Sequence, residues 1–202
     1  MNVVDSIVVK RLGRADYLAT WAAMREFTQE RGEDTADELW LLEHPPVYTL
    51  GQGAPHPRLA SGIPLVKVDR GGDITYHAPG QLVVYTLVDL ARRGIKVKAF
   101  VALLEQAVLD LLEGRGERRP GAPGVYVNGA KVAALGLRVR QGRAYHGLSL
   151  NVDMDLSPFA QIDPCGYPGL AVTQLRELGM PGTVDALGDR LASILAERIE
   201  NA

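Results

Sequence analysis

The chain has 202 residues, 47% apolar and 23% charged, the composition of an ordinary globular protein large enough to bury a substantial core. Its net charge of −2 leaves out nucleic-acid binding, which rests on neutralising many phosphates. The single cysteine permits no internal disulfide and no thiolate-rich metal site, and neither a signal-type leader nor a membrane-length apolar run is present, so a cytoplasmic protein without membrane contact is expected.

In chain order, Val3 to Lys10 reads as a strand centred on Ile7-Val8-Val9. Asp16 to Glu30 places Tyr17, Leu18, Trp21, Met24 and Phe27 at helical spacing, with charge on the opposite face. Two short apolar strands, Leu39 to Leu42 and Val47 to Leu50, flank a turn at Glu43-His44-Pro45-Pro46. Gly51 to Gly62 is rich in Gly and Pro and reads as a functional loop. Leu65 to Asp69 is a further strand, and Leu82 to Leu87 a buried one. Val97 to Leu112 carries its apolar residues on one helix face, and Gly114 to Gly121 reads as an exposed loop. Val125 to Val127 and Lys131 to Val139 flank Asn128-Gly129, the strongest short-range hairpin signal. Gln141-Gly142 then turns the chain into Ala144 to Val152. A short helix is expected at Thr173 to Leu178, and a longer one after Thr183 as N-cap. Strands joined by tight turns favour antiparallel pairing, so the expected fold is α+β, a mixed β-sheet flanked by helices, in one domain over residues 1–202. Arg115, Arg118, Arg119, Arg138, Arg140 and Arg143 gather as a solvated basic face or as a surface for an acidic protein.

The residues able to do chemistry lie in separated blocks. Cys165 stands between Pro164 and Gly166, where a turn with little bulk can present a thiol at the lip of a cleft. Lys131 follows the Asn-Gly turn at the start of an apolar strand, as an edge-strand lysine that blocks pairing or as a functional amine. His77 and His146 each sit beside a small residue, as structural hydrogen bonders or as partners of a Cys-His pair. The four histidines lack paired spacing, so no metal site is expected. Arg70-Gly71-Gly72 follows a strand without the Gly-Lys-Ser/Thr ending of a phosphate loop, and by itself reads as a tight turn.

Four blocks, taken together and in this order, resemble the signatures of the octanoyltransferases of lipoate biosynthesis. They are Arg70-Gly71-Gly72-Asp73-Ile74-Thr75-Tyr76-His77-Ala78-Pro79-Gly80-Gln81, Gly129 to Gly136, His146 to Val152, and Pro164-Cys165-Gly166. The resemblance implies the catalytic-domain fold of the biotin and lipoate protein ligases. It implies a catalytic dyad, Lys131 and Cys165, and no cofactor. It implies a substrate site formed by Arg70, Gly71, Gly72, Asp73, Ile74, Thr75, Tyr76 and His77 with Ala134, Leu135, Gly136, Gly147, Leu148 and Ser149. The donor it implies is octanoyl-acyl carrier protein. The acceptors are lipoyl domains of 2-oxoacid dehydrogenase E2 subunits and the glycine cleavage H protein. Departures from the family pattern are Val132 after the lysine and Val172-Thr173-Gln174 downstream of the cysteine.

On that resemblance, the Lys131 ammonium stabilises a Cys165 thiolate, which attacks the donor thioester. Oxyanion donors are expected among backbone amides near Cys165 and in Ala134 to Gly136 or Gly147 to Ser149, and tunnel-lining residues among Val132, Leu135 and Leu148. Three rivals differ in what they require. An ATP-dependent ligase has no need of Cys165, a binding module has no need of either dyad residue, and a Cys-His thioesterase passes the acyl group to water.

Overall fold

The computed structural model describes residues 6–53, 59, 62–162 and 169–202; Cys165 lies outside these residues. Among these residues ten strands and four α-helices follow one another as β1 (Ile7–Arg14), α1 (Tyr17–Glu30), β2 (Asp37–Glu43), β3 (Val47–Leu50), β4 (Leu65–Lys67), β5 (Ile74–His77), β6 (Gln81–Asp89), α2 (Leu90–Arg93), α3 (Val97–Leu111), β7 (Glu117–Arg119), β8 (Ala122–Val127), β9 (Ala130–Arg140), β10 (Arg143–Asn151) and α4 (Val184–Glu200), with a short 3-10 helix at Ser157–Gln161 before α4. The fold is α+β, as expected. A seven-stranded sheet has the order β1-β2-β6-β10-β9-β8-β7, and a three-stranded sheet the order β4-β3-β5. Both are mixed, with β1–β2 and β3–β4 parallel and the other pairs antiparallel. No helix among the described residues is long and apolar enough to cross a membrane.

The large sheet is covered on both faces. Side chains alternate along a strand, so Leu39 and Leu41 of β2 and Leu82 and Val84 of β6 face α3 and α4, meeting Phe100, Leu104, Leu191 and Leu195. Trp40, Leu42, Val83, Tyr85 and Leu87 turn the other way, toward Met24, Trp21 and Phe27 of α1. Each fully buried Leu or Phe of this kind contributes about 1.5–3 kcal/mol. Double coverage explains why β6 is buried along its whole length and shows no polar alternation. The small sheet has its own apolar cluster, in which Tyr48, Ile74 and Tyr76 pack on Met154 and Phe159.

The caps and turns follow local chemistry. Asp16 Oδ1 accepts the Ala19 N–H at 2.9 Å, and Thr183 Oγ1 accepts the Ala186 N–H at 3.2 Å, fixing the starts of α1 and α4. Both hairpin turns of β8–β9–β10 need two residues at positive φ: Asn128 (49°) with Gly129 (85°), and Gln141 (51°) with Gly142 (77°).

Several expectations are corrected. The segment read as an exposed loop contains β7, a three-residue edge strand whose Glu and Arg side chains discourage further pairing. The first strand, Ile7–Arg14, runs past Lys10 because parallel pairing with β2 continues through its charged half, and the expected start at Val3 to Asp5 lies outside the described residues. Strand β5 and helix α2 had no separate expectation. Thr173 to Leu178 is not a helix: the Thr173 N–H donates to the Lys131 carbonyl at 3.0 Å, and its carbonyl accepts from Asn151 at 3.0 Å. With that backbone committed elsewhere, only a single turn remains near Leu175 to Gly179. Five of the gathered arginines pair within the chain: Arg115 with Glu113, Arg118 with Gln106, Arg119 with Glu117, Arg138 with Gln52 and Arg143 with Asp89.

At one point β10 lies so close to β6 that a side chain has no room. A Cβ on Gly147 would stand 2.1 Å from the Val84 carbonyl oxygen. Because the obstacle is backbone, Gly147→Ala is expected to lose about 3 kcal/mol, the upper end of the overpacking range. Chemical denaturation measures this, and a loss under about 1 kcal/mol would contradict the close approach.

Candidate active site

Lys131 is the second residue of β9, and its strand is paired on both sides, so the edge-strand reading fails. The residue is 3% exposed. Its backbone is bracketed by the segment 171–173: Lys131 N–H donates to the Ala171 carbonyl at 2.8 Å, and a parallel bridge joins it to Val172. The side chain crosses toward β8, where Nζ donates to the Pro123 carbonyl at 3.1 Å and stands 5.1 Å from the Tyr126 ring centroid. Gly124 makes this possible. A Cβ there would lie 3.1 Å from Lys131 Cε and 2.7 Å from the Ala133 carbonyl oxygen, and its φ of 136° also favours glycine. Buried Glu105 of α3 accepts the Gly124 N–H at 2.9 Å and steadies this corner.

Beside Lys131 the two sheets enclose a room that is partly open to solvent. Its floor comes from facing positions of β9 and β10, Gly136 opposite Gly147 and Ala134 opposite Ser149. Arg70, Gly72, Asp73, Ile74, Thr75 and His77 supply the opposite wall, and Leu135 and Leu148 also border the space. Thus all the expected substrate residues except Gly71 and Tyr76 line one room. Gly71 borders an adjoining groove and pins the loop to β9 by donating its N–H to the Leu137 carbonyl at 2.9 Å. Tyr76 alternates to the far side of β5 and packs on Phe159 and Tyr48. Gly136 lets the loop settle: a Cβ would meet Arg70 Cδ and the Gly71 oxygen at 3.1 Å.

A smaller cavity, bordered by Lys131, Val132, Gln81 and Asn151, shares Thr75, Ala134 and Ser149 with the room. Lys131 is therefore brought next to the space that the motif residues enclose. Val132 belongs to this smaller cavity and to the core, not to the larger room. The amides of Gly147, Leu148 and Ser149 are not oxyanion donors, because β10 is paired there with β6 on one side and β9 on the other.

The inner end of the room is polar and ordered. Arg70 is buried, and its guanidinium donates to the Thr49 carbonyl at 2.7 Å, the Thr49 hydroxyl at 2.8 Å and the Gly71 carbonyl at 3.0 Å. Asp69 accepts from Trp21 Nε1, from the Tyr145 hydroxyl and from His146 Nε2 at 2.9 Å. Burial alone would raise the Asp69 carboxyl, but the bonds from His146, Tyr145 and Trp21 outweigh it and hold it well below the usual range. Burial pushes the Tyr17 hydroxyl up to about 12 and the Tyr85 hydroxyl well above its ordinary value. His44 donates Nδ1–H to the Ala15 carbonyl at 2.7 Å, so its Nε2 accepts the Tyr85 hydroxyl at 2.7 Å.

The three buried histidines all favour the neutral form. His44 and His146 are lowered chiefly by burial, and His77 is pushed down to about 3 by burial and then by His44. His77 has one ring nitrogen on Gln81 at 2.7 Å and the other facing Thr49 Oγ1 at 3.4 Å. This engagement gives no support to His77 as the base of a Cys-His pair. Linkage then sets the sign of an acid effect. The unfolded histidine takes up a proton near pH ~6.5 and the folded one does not, so stability is full above that value and falls between pH ~6.5 and ~3. The loss is about 1.4 kcal/mol for each pH unit from His77 alone. Denaturant titrations at pH 7.5 and 5.5 are expected to differ by at least that much, and equal stability at the two would contradict the buried neutral ring.

Sequence reading missed Tyr17 and Tyr85, which border the room, Asp69, which is bonded to the bordering His146, and Pro123-Gly124 beside the amine. Pro123-Gly124 preceding a strand was the one legible signal among them.

Residues 16–196 match the family described as the lipoyl protein ligase A/B catalytic domain. The octanoyltransferase of Azoarcus sp. (strain BH72) is 63% identical over 191 residues, covering 92% of this chain and 84% of that protein. The chain belongs to the octanoyltransferases of that family. The octanoyltransferase of Thiobacillus denitrificans is 59% identical over 199 residues, covering 96% of this chain and 91% of that protein. Among solved structures, the bi-partite lipoate protein ligase of Thermoplasma acidophilum superposes with a TM-score of 0.71 at 15% identity, covering 95% of this chain and 84% of that one. The biotin protein ligase of Aquifex aeolicus, in complex with biotin and ATP, superposes with a TM-score of 0.57 at 12% identity, covering 97% and 71%. At such identities the structures speak for the scaffold shared with the ligases.

Proposed function

We propose that this chain transfers an octanoyl group from octanoyl-acyl carrier protein to a lysine of a lipoyl domain, through a thioester on Cys165. The observation that carries this reading is the placement of the buried Lys131 amine beside the room lined by the motif residues, in a member of the octanoyltransferase family. The Lys131 ammonium favours a Cys165 thiolate, as a neighbouring cation lowers a thiol that otherwise titrates near ~8.5. The thiolate adds to the donor carbonyl, the bond to the phosphopantetheine sulfur breaks, and the acyl–Sγ bond remains. The departing thiolate takes its proton from Lys131. The resulting neutral amine then accepts a proton from the incoming lysine, whose nitrogen displaces Cys165 and forms the amide. One amine thereby serves both half-reactions.

The eight-carbon tail occupies the room between the sheets. At about 0.8 kcal/mol per buried methylene it contributes on the order of 5 kcal/mol to binding. Because one methylene more or less changes this by only ~1–3 kcal/mol, chain-length selection is graded, not absolute. The acceptors are lipoyl domains of 2-oxoacid dehydrogenase E2 subunits and the glycine cleavage H protein, the whole chain works as a single catalytic domain in the cytoplasm, and no cofactor is required. The test is transfer from octanoyl-acyl carrier protein to an apo lipoyl domain without ATP, followed by mass spectrometry of the acceptor. Octanoylated acceptor is the expected product. Acceptor modified only when free octanoate and ATP are supplied would replace the reading with a ligase, and free octanoate with unmodified acceptor would replace it with a thioesterase.

A further inference from the structure

A run of hydrogen bonds with one fixed direction leads from the room to the backbone of Lys131. Neutral His77 donates Nδ1–H to Gln81 Oε1 at 2.7 Å. The Gln81 amide nitrogen donates to the Tyr76 carbonyl at 3.1 Å and to Asn151 Oδ1 at 2.9 Å. The Asn151 amide nitrogen donates to the Thr173 carbonyl at 3.0 Å, and the Thr173 N–H donates to the Lys131 carbonyl at 3.0 Å. Backbone carbonyls only accept, so Tyr76 and Thr173 fix the orientation of both amide side chains, and neither can be reversed without opposing two acceptors. Gln81 is 1% exposed and Asn151 5%. Both border the small cavity that Lys131 also borders. The Asn151 carbonyl accepts the Leu175 N–H at 3.0 Å, so Ala171 to Leu175 forms a strap tied to the start of β9 and the end of β10.

We propose that Asn151, oriented by Gln81, is a positioning residue for acyl transfer. It holds this strap against Lys131 and thereby sets where the amine stands relative to the chain that leads back to Cys165. The inference deepens the reading of Lys131 and Cys165 above and rests on it. Asn151 touches the strap and Gln81, and acts on the reaction through Lys131.

Two nearly isosteric variants test it. Asn151→Asp keeps an acceptor for Gln81 and removes the donor to Thr173; Gln81→Glu keeps an acceptor for His77 and removes both donors. Steady-state transfer is measured with octanoyl-acyl carrier protein and an apo lipoyl domain, with thermal melts alongside. Each variant is expected to lower kcat about 100-fold with KM for the donor within about threefold, because a misplaced group spoils the reaction geometry more than binding. The double variant is expected to be no slower than the slower single one, since either change breaks the same run. A kcat within about threefold of wild type for either folded variant, a change confined to KM, or losses that multiply in the double variant would overturn the proposal. If Asn151→Asp does not fold, Gln81→Glu alone decides. Acceptor octanoylation scores the positioning role, whereas the acyl adduct on Cys165 is scored separately on the wild-type protein. Failure of one is thus distinguishable from failure of the other.

Discussion

Lys131→Met is expected to lower octanoyl transfer by roughly 10²–10⁴-fold, the usual contribution of a positioned acid–base group. Methionine nearly matches lysine in length, and the side chain it replaces is buried between the Pro123 carbonyl and the Tyr126 ring. The change takes a donor from the Pro123 carbonyl, so thermal melts run beside the assay separate lost activity from lost structure. Lys131→Arg separates the two duties assigned to the amine. A guanidinium keeps the positive charge that favours the Cys165 thiolate, but it does not become neutral near pH 7 and is no base. Acyl-enzyme is therefore expected to accumulate in Lys131→Arg while transfer to the lipoyl domain stalls. Single-turnover assays with donor alone and then with acceptor measure both steps. A Lys131→Met enzyme within about tenfold of wild type would remove Lys131 from the chemistry.

The largest stability loss is expected from Asp37→Ala, far from the reaction. Asp37 is fully buried at the start of β2 and accepts from Arg31, Arg92 and Arg93, together with the Asp89 N–H at 2.8 Å. Arg31 is itself almost fully buried, and it also donates to the Leu87 carbonyl at 3.1 Å. Deleting the carboxylate leaves three guanidinium groups around an uncompensated site, a change that costs about 3–5 kcal/mol. Burial by itself would raise the Asp37 carboxyl. The Asp89 N–H, Arg93 and Arg31 outweigh burial and hold it below the usual carboxylate range. The sign follows from that direction: the folded protein gives up this proton more readily than the unfolded chain does. The stabilisation is therefore complete above the ordinary carboxylate value near ~3.9 and is lost as pH falls through the lower native value. The gap between wild type and Asp37→Ala is expected to be widest at neutral pH and to narrow below pH ~4. Denaturant unfolding at pH 7 and pH 3 measures it, and a gap that widens toward acid would contradict the ion cluster.

Much of the architecture was legible because local signals agreed with the global pairing. Asn128-Gly129 and Gln141-Gly142 fixed two hairpins, and Asp16 and Thr183 marked two helix starts. The misses have a common origin in contacts remote in sequence. Thr173 to Leu178 carries a helical pattern, yet its first residues are tied to Lys131 and Asn151, and those bonds win over local propensity. Strand β5 exists because Ile74 to His77 pairs with β3, and no alternation in so short a segment announces it. At the candidate site, the motif blocks located the room, but not its inner end. Tyr17 of α1, Tyr85 of β6 and Asp69 of the segment after β4 are far apart in sequence and come near one another only after folding. Nor does sequence show that Gly124 is small because the Lys131 side chain passes over it.

In the proposed reaction the acyl group passes through a sulfur. Intact-mass analysis of the wild-type protein after incubation with octanoyl-acyl carrier protein tests this directly, with peptide mapping and hydroxylamine treatment of any adduct. One octanoyl group, labile to hydroxylamine and located on Cys165, is the predicted result. Full transfer to the lipoyl domain by a Cys165→Ser protein, with no adduct at any time on the wild type, would contradict it.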